Sequence, residues 1–548
     1  MPVVSHRALF AFRSAPSQTE VAAIQSLTAA SDIGPVGGAG AYAVDSPTMD
    51  VGALMAVLAN RSDVVNVEPD MVFQVDATPN DPDYSQQWGL QRISAPTAWN
   101  TTTGSRSTVV AEIDTGVQYD HPDLAANMWS APTAFTLTVG DNTFNCPAGD
   151  HGFGILILQS PGVFSCDPGD YEDTSQYDLD HGTAVAGVIG AVGNNAIGIA
   201  GVNWGVSIVP VKACALEGEG VNDVPTPSCD EIDVITALET IIQLKAHFGA
   251  QANVVAVNMS FSGVNGNAAN LETEIARAQT YGIMVAAATG NECNSGADPP
   301  ASFGLPNEVA VAASDQNDYP SSWPNGQCSN GGGQTAAPGT SIYSTSTNNG
   351  YTGGFAGTSA ATAFVTGAAA LVYSACTLPP HALAEDLVNS SDYAPSLASV
   401  SYGRRLDFAA AVQRCTTGTP GTGQIYISGS ECEGCYNYPE VPSSGTITVT
   451  VAFSQYYFYW DADGGSTAID TANAIASDIN SDPFGVVTAS ASGGAGSAVV
   501  NITSKAKGPA TGYFGISVTN TDSCTPPYGG SCAPDPFSIS SSYSGGAS

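Results

Sequence analysis

The chain has 548 residues, of which 43% are hydrophobic and 8% aromatic, and its mean hydropathy is +0.04. This composition supports a sizeable core and excludes a disordered chain, a collagen and a coiled coil. The 13 basic and 50 acidic residues give a formal charge of −37. That charge disfavours binding to nucleic acids and anionic membranes and favours bound cations such as calcium.

The twelve cysteines are even in number and scattered along the chain, which favours disulfide bonds in an oxidising compartment over free buried thiols. Sequence does not determine connectivity. The pairs expected between near neighbours are Cys146–Cys166, Cys214–Cys229, Cys293–Cys328, Cys376–Cys415, Cys432–Cys435 and Cys524–Cys532. A zinc site at CEGC (432–435) is less favoured, because no second ligand pair follows at suitable spacing.

Neither a membrane span nor an export signal is evident. No run of 18 or more apolar residues is present, so no transmembrane helix is expected. The first twelve residues lack a basic segment followed by a long apolar one. If the protein is exported, we expect its signal to have been removed from this sequence and Met1 added.

Residues 1–76 are predicted to form a small α+β unit. Strand-like alternation is present in HRALFAF and AYAVD, and helical spacing in TEVAAIQSLTAA and MDVGALMAVLANR. The unit closes with a strand or extended tail, VVNVEPDMVFQVD. A polar, proline-containing segment, ATPNDPDYSQQ, follows it.

Residues 77–415 are predicted to form a doubly wound α/β domain with a mostly parallel sheet. Strands buried on both faces are indicated by the apolar runs STVVAEID, VSIVPVKA, NVVAVNMS and IMVAAATG. Helices are expected between them, for example in HGTAVAGVIGAV and SAATAFVTGAAALVYSA. Such alternation places helices on both faces of the sheet.

The last part of the chain differs in character. A linker is expected at 416–423, and residues 424–548 are β-rich, with one helical stretch, TAIDTANAIASDINS. We expect a β-sandwich-like accessory domain here. Its aromatic run YYFYW (456–460) is assigned no ligand, because such a run in a strand is usually half core.

Four polar residues stand at the ends of these elements. Asp114 ends a strand, His181 and Ser359 begin helices, and Asn291 follows a strand. Active groups of open α/β sheets gather outside the carboxyl ends of the strands. Each position alone is an ordinary turn or cap, but the four together, in the order Asp, His, Asn, Ser, form a specific pattern.

Residues from about 78 to 415 resemble the subtilisin family of serine peptidases, and within it the thermitase-like branch. The resemblance is carried by the motifs DTGVQYDHPDL (114–124), HGTAVAGVIGAV (181–192), NMSFSG (258–263), AAATGNE (286–292) and GTSAATAFVTGAAAL (357–371). Residues 1–76 resemble the inhibitory propeptide of that family. The Asp–His–Ser order is a standard example of a catalytic triad.

The resemblance implies a role for each residue of the pattern. Ser359 is expected to be the nucleophile and His181 the general base and acid, with Asp114 holding the imidazole. Asn291 and the Ser359 backbone N–H are expected to stabilise the oxyanion. The expected activity is that of a secreted serine endopeptidase that acts on peptide and protein substrates as a monomer.

The sequence departs from the family pattern at three positions near these residues. Ala184 replaces a second histidine, and Ala360 and Ala363 replace the usual methionine and proline. None of the three supplies a catalytic group, so activity is expected to survive.

The resemblance also implies a substrate-binding edge. It assigns Ser260, Phe261 and Ser262 to one side of the main specificity pocket, opposite Ala288 and Thr289. Phe261 is more often core than contact. Glu292 beside the pocket either favours basic P1 groups or is a solvated surface acid; both interpretations stay open.

A structural calcium site is implied as well. Its side-chain ligands would be Asp81, Asp123 and Asn195, and its backbone ligands Val192, Ile197 and Ile199. Hard oxygen donors with two carboxylates suit Ca²⁺. The alternative is that the two aspartates are ordinary turn acids.

The first 76 residues are expected to act as a folding chaperone and intramolecular inhibitor, released by self-cleavage near residues 73–80.

Three competing functions are less favoured. Acid-acting carboxyl peptidases share the fold but replace the histidine with glutamate, whereas HGT (181–183) is intact here. A secreted binding or surface protein with an impaired catalytic domain would not need all four groups. A nucleotide-binding enzyme would need a GxGxxG motif between a strand and a helix, which is absent.

Overall fold

The structure is a computed structural model of the chain. It describes residues 3–38, 40–71, 77–156, 163–169, 180–217, 226–263, 268–417, 422–429, 444–451, 454–461, 467–481, 487–505, 516–522 and 537–544. The chain divides into two compact units, Met1–Asp76 and Ala77–Ser548.

The first unit is an antiparallel sheet packed against two helices. Its elements are β1 (Val3–Phe12), α1 (Gln18–Thr28), β2 (Asp32–Val36), β3 (Ala41–Asp45), α2 (Val51–Ala59) and β4 (Val64–Met71), with strand order β2-β3-β1-β4. Buried Phe10, Ile24 and Leu54 belong to its core. The sequence did not predict β2, because Gly34 and Pro35 weaken the strand signal; β2 is an edge strand, where proline is tolerated.

The second unit contains a ten-stranded sheet with the order β19-β20-β16-β15-β14-β13-β5-β10-β8-β9. Its strands are β5 (Gly104–Asp114), β8 (Phe153–Leu156), β9 (Val163–Ser165), β10 (Gly205–Lys212), β13 (Val254–Met259), β14 (Met284–Ala288), β15 (Glu308–Ser314), β16 (Thr335–Pro338), β19 (Asp392–Tyr393) and β20 (Arg404–Arg405). Strands β20 to β8 pair in parallel, and only the edge strands β19 and β9 are antiparallel. The predicted mostly parallel α/β sheet is confirmed.

Helices surround this sheet, and three hairpins lie outside it. The helices are α3 (Trp88–Arg92), α4 (Ala95–Trp99), α5 (His181–Gly190), α6 (Glu231–Phe248), α7 (Ala269–Thr280), α8 (Thr358–Ala375), α9 (Pro380–Asn389), α10 (Ala398–Ser401) and α11 (Phe408–Thr416). The hairpins are β6 (Phe135–Val139) with β7 (Asn142–Cys146), β11 (Cys214–Glu217) with β12 (Thr226–Cys229), and β17 (Ile342–Ser346) with β18 (Gly350–Phe355).

The apolar strands serve two cores, one on each face of the sheet. Val110 packs into the core that contains α5 and α8, whereas its neighbours Val109 and Ala111 pack into the core that contains α6 and α7. Successive side chains of a strand point to opposite faces. A strand covered on both faces therefore has no polar alternation, which is why these runs are almost wholly apolar.

Helix α8 belongs to the core that also contains α5. Among the described helices, it alone is long and apolar enough to cross a membrane, and 83% of it is buried within the protein. Its composition is therefore that of a core helix.

In the C-terminal part, the residues that the structure describes form two antiparallel sheets and one helix. Its elements are β21 (Thr422–Gly429), β22 (Ser444–Val451), β23 (Ser454–Asp461), α12 (Ala468–Ser481), β24 (Val487–Gly493), β25 (Ser497–Ser504), β26 (Ile516–Asp522) and β27 (Phe537–Ser544). The sheets have the orders β24-β25-β21-β27 and β23-β22-β26. Both sheets and α12 contribute to one core, with Ile425, Ile447 and Ile475 among its members. The β-sandwich-like domain stays a prediction, and the side chains of YYFYW lie outside the described part.

Four of the expected disulfides are present: Cys146–Cys166, Cys214–Cys229, Cys293–Cys328 and Cys376–Cys415. No described cysteine is free. The pairs Cys432–Cys435 and Cys524–Cys532 lie outside the described residues.

Candidate active site

Asp114 and His181 meet at the carboxyl edge of the sheet, where β5 ends and α5 begins. The imidazole Nδ1 donates to Asp114 Oδ1 across 2.7 Å, and the Thr115 N–H donates to the same oxygen at 2.7 Å. The Asp114 side chain is 3% exposed and that of His181 33% exposed. A buried carboxylate that accepts from Nδ1 fixes the tautomer and leaves Nε2 as the basic nitrogen.

The first turn of α5 packs tightly against the turn that follows Asp114. A Cβ on Gly182 would lie 2.1 Å from the Gly116 carbonyl oxygen, so only glycine allows this approach. The Gly182 N–H donates to Thr115 Oγ1 at 3.1 Å, and the Gln118 N–H donates to Thr183 Oγ1 at 3.0 Å. The HGT segment thus aligns the histidine with the aspartate.

Ser359 lies in the first turn of α8 and is 8% exposed. Its hydroxyl donates to the Ser260 carbonyl oxygen at 2.9 Å, and the Ser260 hydroxyl donates to the Ser359 carbonyl at 3.0 Å. These bonds join the serine to the end of β13. The replacements Ala360 and Ala363 are both fully buried, and α8 begins at Thr358 without the family's proline.

Asn291 follows β14 and faces the start of α8. Its Oδ1 accepts from the Thr358 N–H at 3.0 Å and from the Thr358 hydroxyl at 3.1 Å. A Cβ on Gly357 would lie 3.5 Å from Asn291 Nδ2 and 3.6 Å from the Ser359 nitrogen. Two nitrogen donors therefore flank one small space that Gly357, with φ +117°, leaves open.

The expected substrate edge lies between the ends of β13 and β14, which pair in parallel. Ser260, Ala288 and Thr289 are buried, whereas Phe261 and Ser262 are half-buried. Phe261 packs against the core on the α6 face, which agrees with its interpretation as partly a core residue.

Asp81, Asp123 and Asn195 lie together, and Asn195 belongs to the loop that follows α5. Asp81 and Asp123 are 4% and 0% exposed. Asn195 joins them: its Nδ2 donates to Asp123 Oδ1 at 2.8 Å, and its backbone N–H donates to Asp81 Oδ1 at 3.3 Å. Burial raises the pKa of both carboxyl groups, that of Asp123 to about 6.

The three expected backbone ligands border the same cluster. The Val192 N–H donates to the Asp123 carbonyl oxygen, and the Ile199 N–H to Asp123 Oδ2. The Ile197 N–H donates to Asn195 Oδ1 at 2.7 Å. All six expected ligand residues are thus neighbours in space, although they come from three separate segments. Two buried carboxylates with an amide oxygen form a donor set that suits a hard divalent cation.

Sequence reasoning missed several residues that shape the site. Phe355 packs edge-on against the His181 ring, 5.7 Å between centroids. Asn330, fully buried, holds the segment that carries Asn291. Neither had a sequence signal: Phe355 ends a short, mostly half-buried hairpin strand, and Asn330 lies in a glycine-rich loop.

Comparison with known proteins identifies the family of the chain. The model of the Subtilase family (Peptidase_S8) matches residues 105–405, more than half of the chain. The chain belongs to the subtilase family of serine peptidases. This subtilase is 34% identical over 300 residues to "Thermitase" of Thermoactinomyces vulgaris. The alignment covers 54% of this chain and 86% of the relative.

Other relatives are named as extracellular enzymes. This subtilase is 32% identical to "Extracellular protease" of Xanthomonas campestris, over 72% of the chain and 69% of the relative. It is 31% identical to "Extracellular basic protease" of Dichelobacter nodosus, over 65% of the chain; the match spans only 59% of that relative. A solved protease of Pseudoalteromonas arctica aligns with a TM-score of 0.47 and 27% identity, over 61% of this chain and 99% of that one.

Proposed function

We propose that the protein is a secreted serine endopeptidase whose triad is Asp114, His181 and Ser359 and whose oxyanion donors are Asn291 and the Ser359 backbone N–H. The observation that carries this proposal is the 2.7 Å bond from His181 Nδ1 to the buried Asp114 carboxylate. This bond supports the proposal because it leaves Nε2 as the basic nitrogen that a serine nucleophile requires.

The reaction begins when a peptide carbonyl lies over Ser359. Rotation of the hydroxyl away from the Ser260 carbonyl brings it to His181 Nε2, which takes the proton while Oγ attacks the carbonyl carbon. The tetrahedral oxyanion then lies in the space between Asn291 Nδ2 and the Ser359 N–H. Donors fixed in advance stabilise this charge without reorganisation, which is the largest contribution expected in such a site.

Collapse of the intermediate completes acylation. His181 returns its proton to the leaving amine, so the C–N bond breaks and an acyl-enzyme on Ser359 remains. Water then enters, gives a proton to His181 and attacks the ester carbonyl, and the acid product leaves as Ser359 regains the proton. Asp114 stays ionised and stabilises the imidazolium in both halves.

The cluster of Asp81, Asp123 and Asn195 is proposed to hold a structural calcium ion, with carbonyl groups of Val192, Ile197 and Ile199 completing the shell. Two buried carboxylates support this proposal, because buried negative charges need a compensating cation. Bound calcium supplies that charge; the residues themselves would join the 192–199 loop to the segment around residue 81.

The remaining proposals concern the biology of the chain. Residues 1–76 are proposed to be a propeptide that assists folding and inhibits the enzyme until self-cleavage near residues 73–80. Secretion is supported by the four disulfides and by relatives named as extracellular.

Self-processing tests the catalytic assignment. The Ser359→Ala protein should remain at full precursor length and lack peptidase activity, because loss of the nucleophile in such a triad costs about 10⁶ in kcat. Ser374→Ala, a change in the same helix α8, is the matched control and should process normally. Intact mass spectrometry after incubation reads both outcomes. Complete processing of Ser359→Ala would show that the nucleophile is misassigned.

A further inference from the structure

Asn330 lies at the centre of a hydrogen-bond network around the segment that carries Asn291. Its Oδ1 accepts from the backbone N–H groups of Glu292 at 2.9 Å and Asn294 at 2.8 Å. Its Nδ2, with two hydrogens, donates to three acceptors by sharing one of them: the Thr289 carbonyl at 2.9 Å, Asp298 Oδ2 at 2.8 Å and Glu292 Oε2 at 3.1 Å. The side chain is fully buried, and its polar groups are all in use.

Glu292 connects this network to the oxyanion residue itself. Its Oε2, which accepts from Asn330 Nδ2, also accepts from the Asn291 backbone N–H at 2.7 Å. Although the Glu292 residue is exposed, this oxygen is turned back towards the loop. The sequence left open whether Glu292 is a solvated surface acid or favours basic P1 groups. In the structure its carboxylate also connects Asn330 to the backbone of Asn291.

Gly290 shows how closely the network encloses the backbone. A Cβ on Gly290, whose φ is +104°, would lie 2.4 Å from Asn330 Nδ2, 2.7 Å from Glu292 Oε2 and 2.9 Å from Asp298 Oδ2. These three polar groups converge on the residue directly before Asn291. Only glycine permits this approach.

The network is anchored to the central sheet. The Asn330 N–H donates to the Gly290 carbonyl at 2.9 Å, and the preceding Ser329 hydroxyl accepts from the Ala313 N–H of β15 at 2.9 Å. The Cys293–Cys328 disulfide joins the same two segments. Asn291 is thus connected to a rigid strand through Asn330, as a precise catalytic site requires.

We propose that Asn330 is a positioning residue for the oxyanion hole: through Thr289, Glu292 and Asn294 it fixes the backbone of Asn291 so that Nδ2 faces the Ser359 N–H. This inference rests on the proposed catalytic function. Asn330 touches no reacting atom. Its contribution is to the preorganisation of Asn291, which acts on the transition state and hence on kcat more than on KM.

A double-mutant cycle with Asn291 tests the inference. Asn291→Ala should lower kcat by about 10²–10³. Asn330→Ala should lower kcat by about 10–100 with KM changed by less than about threefold, because only the positioning of the donor is lost. In the Asn291→Ala background the same change should cost less than about threefold, because residues that act through one another are not additive.

Asn307→Ala is the matched control. Asn307 is also fully buried, and its Nδ2 donates to the carbonyl groups of Ile275 and Ile283 away from the site. It should lower the melting temperature about as much as Asn330→Ala and leave kcat of the folded enzyme unchanged. Equal kcat losses in both variants, or an Asn330→Ala loss that is the same in both Asn291 backgrounds, would overturn the proposal.

Glu292 variants provide the test if Asn330→Ala does not fold. Glu292→Ala should lower kcat in the wild type by several-fold for all P1 residues alike, and not in the Asn291→Ala background. Glu292→Gln keeps an acceptor oxygen and should retain kcat. A Glu292→Ala effect confined to P1 charge preference, or an equal loss in Glu292→Gln, would overturn the proposal.

The two levels of failure are distinguishable. If Asn291→Ala retains full activity, the proposed oxyanion hole is wrong. If Asn291→Ala loses activity as expected and Asn330→Ala behaves like Asn307→Ala, only the inference about Asn330 fails.

Discussion

Two loops of the second unit, one that carries Asn291 and one that follows α5, are stabilised in different ways. The oxyanion loop (residues 289–294) is held by amide groups, the buried Asn330 and a disulfide, and the carboxylates in contact with Asn330 belong to exposed Glu292 and half-buried Asp298. The carboxylate loop (residues 192–199) surrounds two buried aspartates, Asp81 and Asp123. Among the described residues, neither aspartate forms a salt bridge with a basic group.

The difference shows which loop is complete as protein alone. In the oxyanion loop the buried Asn330 has partners for both its oxygen and its nitrogen, and the carboxylates beside it, of Glu292 and Asp298, are exposed or half-buried and so keep contact with solvent. Hydrogen bonds reduce but do not remove the cost of burying two carboxylates in the carboxylate loop. We therefore expect that loop to depend on a bound cation and the oxyanion loop to depend on covalent and hydrogen-bonded contacts.

Among the changes that test this difference between the loops, removal of calcium should have the largest effect on stability. EDTA should lower the melting temperature by roughly 5–10 °C, because a ligand present at 1,000 times its Kd contributes about 4 kcal/mol. The measurement is a thermal melt with EDTA and with excess calcium. Asp123→Asn should abolish most of the difference, whereas Asp120→Asn, a change at an exposed aspartate three residues away, should preserve it.

The melting temperature of the calcium-free protein should also depend on pH, and the direction of that change can be predicted. In the calcium-free chain burial raises the pKa of Asp123 to about 6, so the folded state holds a proton that the unfolded state has lost. Stability of the calcium-free protein should therefore fall as pH rises from about 4 to 6. The gap between the calcium and EDTA melts should widen over this range, and a constant gap would contradict the assignment of Asp123.

Removal of the disulfide at the oxyanion loop should have a smaller effect, and its effect on catalysis should distinguish it from removal of a second disulfide. The two cysteines are 35 residues apart in Cys293–Cys328 and 39 residues apart in Cys376–Cys415. Loss of either disulfide should therefore lower the free energy of unfolding by a similar amount. Removing Cys293–Cys328 by serine substitution should also lower kcat a few-fold, because Cys328 N–H donates to the Asn291 carbonyl. Peptide hydrolysis below the melting temperature measures this. Equal kcat values for the two variants would show that Asn330 alone is sufficient.

Much of the fold was predictable because burial and close packing determine which residue types occur within a single strand or helix. The apolar runs of β5, β13 and β14 are explained by burial on both faces. The small residues of α5 and α8 are explained by close packing, as at Gly187 of α5 and Gly367 of α8. Strand β2 was missed because edge position, which permits Pro35, is decided by tertiary pairing.

The candidate site was predictable only where the residue type itself carries chemistry. Asp114 and His181 were paired from motifs, and the structure joins them. Asn330 was not predictable, because an asparagine in a glycine-rich loop has no distinctive pattern and its partners are 32 to 41 residues away in sequence. The orientation of Glu292 was undecidable for the same reason: it depends on Asn330.

Covalent labelling of Ser359 tests the central claim most directly. The processed protein should react with a serine-directed fluorophosphonate once per chain, and peptide mass spectrometry should locate the adduct on Ser359. His181→Ala should slow labelling by several orders of magnitude, because the hydroxyl then lacks its base. An adduct on another serine, or an unchanged rate in His181→Ala, would contradict the account.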